Sequence, residues 1–152
     1  MKEAIGNSAI FTIAIVLISL VIAVFLSSLN YSKAFKIKTN IVDIIENYED
    51  GYIADNRDRI DTEIEEYLRE AGYRVNTNNQ QCPVIDGRSA LNNPYNYRYC
   101  IYEYSSTRGN YYRVVTYMYL DIPLLSNVLQ FQVAGQTKVF YHVVDNGIPT
   151  ED

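Results

Sequence analysis

Residues 9–29, AIFTIAIVLISLVIAVFLSSL, contain no charged side chain and only four polar ones, Thr12, Ser19, Ser27 and Ser28. About 20 apolar residues at ~1.5 Å rise match a hydrocarbon core of about 30 Å, so the run is long enough to cross a bilayer as one helix. A cleaved secretory signal has a shorter apolar core, about 7–15 residues, before a small-residue cleavage site. Ser27 and Ser28 imitate such a site, so cleavage there stays open beside the retained helix that the length favours. The run divides the chain into a polar leader (1–8), a transmembrane helix (9–29) that continues as an amphipathic helix to about residue 50, and an α+β domain (51–152).

Beyond Leu29 no Pro or Gly interrupts the chain before Gly51, and Ala34, Ile37, Ile41, Ile44, Ile45 and Tyr48 recur at three- and four-residue spacing. That periodicity predicts a helix whose apolar stripe packs on a sheet, with Gly51 as its left-handed cap. A second helix is expected from an N-cap at Asp55 or Asn56 to Gly72, burying Ile60, Ile64, Tyr67, Leu68 and Ala71. Residues 76–95 read as a long loop rich in turn formers. From residue 97 the period becomes two. Strands are expected at 97–104 and 111–122, the second ended by Pro123, with a last hairpin of 128–133 and 138–144 turning at 134–137.

The net charge of −5 argues against nucleic-acid binding, which needs a concentrated basic face. His142 is the single histidine, and no nucleophile elbow, phosphate loop or His-Glu-x-x-His is present, so neither an enzyme nor a cofactor is expected. The acidic cluster Glu63, Glu65 and Glu66 reads as a solvated helix face, because it lacks the alternating ligand loop of a calcium site. Tyrosine is the outlying residue, 15 of 152, and Tyr102, Tyr104, Tyr117 and Tyr119 are candidate surface contacts for other proteins.

Cys82 and Cys100 are the two cysteines. Outside a reducing compartment they would close a loop of about 18 residues as a disulfide; in the cytosol they would remain thiols. Lys33, Lys36 and Lys38 follow the apolar run, and the positive-inside rule applied to them places the domain in the cytoplasm. The cysteine pair and the Tyr/Asn-rich strands point the other way, and an extracytoplasmic domain is the reading adopted.

A leader containing Gly6, an apolar helix starting just after it, an amphipathic continuation and a cysteine-bearing sheet domain together resemble the type IV pilin superfamily. The stretch RVVTYMYLDIP (113–123), followed by VAGQT (133–137), is similar to TadE-like minor pilins of tight-adherence (Tad) systems. The resemblance implies cleavage between Gly6 and Asn7 by a prepilin peptidase. It also implies bundling of the apolar helices through Phe11, Ala14, Ser19 and Ala23, and domains that coat a surface filament. The partners would be other pilin-like subunits and the cytoplasmic membrane. Pilins usually carry Glu at the fifth mature position; here it is Phe11, which fits a minor subunit or an anchored relative better than a major pilin. The alternative is a membrane-anchored extracytoplasmic binding module or adhesin that does not polymerise.

Overall fold

The computed structural model describes residues 2–94, 96–120 and 129–141; side chains are described from Ile10 onward, those of 118–120 and 129 excepted. The fold is α+β: α1 (Lys2–Glu46), α2 (Arg57–Glu70), then β1 (Tyr99–Ser106), β2 (Gly109–Leu120) and β3 (Leu129–Gln136). The strands form one antiparallel sheet in the order β1-β2-β3.

The 45 residues of α1 extend about 67 Å at ~1.5 Å per residue. Only its C-terminal third is clad. Ala34, Ile37, Ile41 and Ile45 are buried against the sheet and α2, with Ile44 and Tyr48 half-buried beside them. The helix stops at Glu46 rather than near 50. The Tyr48 N–H bonds Ile45 O three residues back instead of four, and the chain reverses at Gly51, φ +68°. A Cβ there would lie 2.7 Å from the Tyr112 ring, so both the turn and the packing require glycine. This reversal carries Tyr52 into the core.

Helix α2 follows Asn56, which makes no side-chain cap bond, and buries Ile60, Ile64 and Leu68 at four-residue spacing. One sheet face brings Tyr99, Ile101, Tyr112 and Val114 into the same cluster as α1 and α2. The other brings together Cys100, Tyr102, Val115 and Tyr117 under residues of the 76–95 loop.

Two strand expectations need correction. Strands β1 and β2 meet in a tighter hairpin, pairing up to Ser106↔Gly109. The turn expected at 134–137 is not there. Ala134, Gly135 and Gln136 lie inside β3, paired along β2 to Arg113↔Gln136. The chain then continues in the same direction, with Phe140 bridging Asn110. Between Arg113↔Gln136 and Asn110↔Phe140 the register shifts by one residue, which is a bulge at residues 137–139. Thr137 fills the gap by exchanging hydrogen bonds with the Tyr112 backbone. Gly135 resembles a turn residue in sequence; in the fold the aliphatic stem of Lys38 crosses over it. Pro123, His142 and Val144 lie outside the described residues.

Candidate functional site

Fourteen large apolar side chains between Ile10 and Leu29 are exposed, Phe11 among them. At about 1.5–3 kcal/mol for a side chain left wholly in water, fourteen side chains that are 42–69% exposed cost on the order of 10–25 kcal/mol. That matches or exceeds the stability of a typical domain, so this surface calls for lipid or other apolar helices. Helix α1 is long and apolar enough to cross a membrane. Ala14 and Ser19 lie on the exposed surface, and Ala23 is half-exposed. The Ser19 hydroxyl donates to Ile15 O and that of Ser27 to Ala23 O, so these serines return their polarity to the helix backbone. Gly6 and Asn7 lie within α1.

The cysteine pair is joined: Cys82 and Cys100 form a disulfide, with Cα atoms 5.7 Å apart. It ties the 76–95 loop to β1, the outer strand of the sheet. The Leu91 N–H bonds Ile101 O, and buried Asn92 takes the Ile101 N–H on Oδ1 (2.9 Å) while donating to Tyr99 O (2.9 Å). The loop thus pairs with an edge that would otherwise be an open template for another strand.

The tyrosines fall into two groups. Tyr102 and Tyr117 are buried, which corrects the expectation that they form a contact surface. The Tyr102 hydroxyl donates to Pro83 O at 2.6 Å beneath the loop, and burial pushes its pKa up to about 12. Arg98 stacks over the Tyr117 ring at 4.0 Å. Tyr104 is half-exposed, stacked on Tyr111 and donating to Asp86 at 3.0 Å. The Tyr119 side chain lies outside the described residues; its backbone pairs with Gln130.

Three polar groups that periodicity did not single out hold the domain together. Asp61 accepts the Tyr52 hydroxyl at 2.7 Å and that of Tyr99 at 2.8 Å, joining the α1–α2 turn, α2 and β1. Burial raises the Asp61 pKa, against the two phenols that stabilise its anion. Tyr73 places its hydroxyl where β1 has ended, donating to Tyr117 O (2.6 Å) and accepting the Tyr117 N–H (2.9 Å). Asn92 is the third. Asp61 and Asn92 bond across 38 and 9 residues of chain, which no local pattern signals.

Among the described residues, no three His, Cys, Asp or Glu side chains gather as a metal-binding group. No protein-family model, curated protein or solved structure significantly matches the chain. What fold and surface define is a small disulfide-bonded α+β domain on the end of a long, bare apolar helix.

Proposed function

We propose that the chain is a structural and assembly protein: a pilin-like minor subunit of a Tad or type IV pilus-like surface filament or secretion apparatus. Residues 10–29 would embed in the membrane and then pack against the apolar helices of other subunits. The domain would stand on the extracytoplasmic side. The observation that supports this is the division of α1 into a largely bare apolar segment and a clad segment that is one wall of the domain core. Lateral packing of such helices needs close approach, which Ala14, Ser19 and Ala23 supply. No step of this function calls for catalysis.

The absence of a carboxylate at Phe11 favours a second reading, an anchored binding module that never polymerises. The N-terminus of the protein from its own cells, read by mass spectrometry, separates the two. A chain beginning at Asn7 is expected from prepilin-type processing. One beginning at Met1 would favour the unpolymerised module. One beginning near residue 30 would remove the anchor and overturn both.

A further inference from the structure

The sheet reaches down α1 to Ala34, five residues past the end of the apolar segment. Val133 packs on Ala34, Gly135 lies against the Lys38 stem, and the Lys138 Nζ donates to Glu46 O. Strand β3 and α1 therefore run side by side in the same direction. A strand advances about 3.3 Å per residue and a helix about 1.5 Å, so two strand residues keep pace with about four helical ones. Carried back from Val133, this spacing puts Phe131 at the level of about residue 30 and the last rung, Leu120↔Leu129, at the level of about residue 25. The apolar run ends at Leu29.

The side chains at this level are those of a membrane–water boundary. Phe131 lies on the same strand face as Val133 yet is 48% exposed, and Tyr31 and Phe35 are exposed on the helix. Lys36 is exposed on the side of α1 turned away from the sheet, while the Lys33 ammonium reaches Gly72 O at 2.8 Å. Although the chain carries a net charge of −5, it has no Asp or Glu from residue 4 to residue 42, and β3 is uncharged. Glu70 is close by, two residues before Gly72, but Arg74 lines a cavity with Asn30 and Lys33, so cations outnumber it at this aromatic end.

We infer that this end of the domain, formed by Tyr31, Phe35, Lys36 and Phe131, rests in the anionic headgroup layer of the membrane that α1 enters. The inference rests on the membrane-anchor part of the proposed function. It gives the domain a second lipid contact, which fixes its height and the tilt of helix and domain together. The aromatic rings occupy the interface and the lysine meets lipid phosphate.

The chain contains no tryptophan, so single substitutions give unambiguous fluorescent reporters. Full-length Leu20→Trp, Phe131→Trp and Tyr141→Trp would each be reconstituted in phosphatidylglycerol-containing vesicles whose acyl chains are brominated both near the headgroup and near the bilayer centre. Strong quenching is expected for Leu20→Trp and Phe131→Trp and none for Tyr141→Trp, which sits at the far end of the domain. Quenching of Phe131→Trp should weaken when Lys36→Glu is added; unchanged quenching would overturn the anionic contact. Quenched Leu20→Trp with unquenched Phe131→Trp would overturn the inference and leave the anchor standing. Blue-shifted but unquenched Phe131→Trp would assign the patch to a second copy of the chain and overturn it too. Unquenched Leu20→Trp would overturn the anchor reading and this inference with it.

Discussion

Tyr52, Asp61 and Tyr99 show what single side chains do in this domain. The phenols are buried and hydrogen-bonded to one carboxylate, so burial first and the Asp61 charge second push both pKa values well above the ordinary 10.0. Above pH of about 10 the folded chain then holds more protons than the unfolded one. The contribution of the two phenols is intact below that pH and is lost as pH rises through the folded-state values. Tyrosinate absorbance followed with circular dichroism should show a block of tyrosines ionising only as structure is lost. All fifteen ionising smoothly in an intact fold would contradict this. Asn92→Ala should cost about 1–3 kcal/mol in chemical denaturation, since it leaves the buried Ile101 N–H and Tyr99 O without their partner. Ile41→Asp, an unpaired charge at a fully buried site, should cost more than about 4 kcal/mol. Wild-type stability in that variant would mean that the α1 stripe is not core.

Among the elements, both helices were legible because each carries an uninterrupted three-and-four pattern, and Ile37, Ile41, Ile60, Ile64 and Leu68 fall where that pattern puts them. The alternation of Val114 and Thr116 against Val115 and Tyr117 was equally plain. What alternation cannot tell is whether a sheet's second face is covered. Here the cover is the 76–95 loop, irregular in sequence and held by a long-range disulfide, so Tyr102 and Tyr117 read as surface and are core. Position 135 misled for a related reason: glycine there answers to Lys38 on a distant helix, not to a local turn. Removing the disulfide, as Cys82→Ala with Cys100→Ala, should lower stability by about 3 kcal/mol. It should also speed amide exchange at Ile101, whose partner Asn92 lies on the tied loop. Gly109→Ala should be costlier than an ordinary surface change, because φ is +148° and the new Cβ would meet Phe140 O at 2.0 Å. Unchanged thermal melting in that variant would contradict the close approach of the Phe140 backbone to Gly109.

At the scale of the whole molecule, the lysines after the apolar run acquire a second meaning. Lys33 is tied to the Gly72 carbonyl, and Lys38 covers Gly135 while its ammonium stacks 4.1 Å from the Phe35 ring. Two of the three flanking cations thus serve the docking of the domain on its helix, so their presence does not have to report topology. Disulfides form and persist mainly in oxidising compartments, which supports the proposal of a domain outside the cytoplasm. The direct measurement is protease added to intact spheroplasts expressing the full chain, followed by mass spectrometry of the membrane fraction. The domain is expected to be digested, with a protected fragment containing residues 10–29 left in the membrane. A domain that survives until the membrane is broken, or a chain released into solution without detergent, would contradict it.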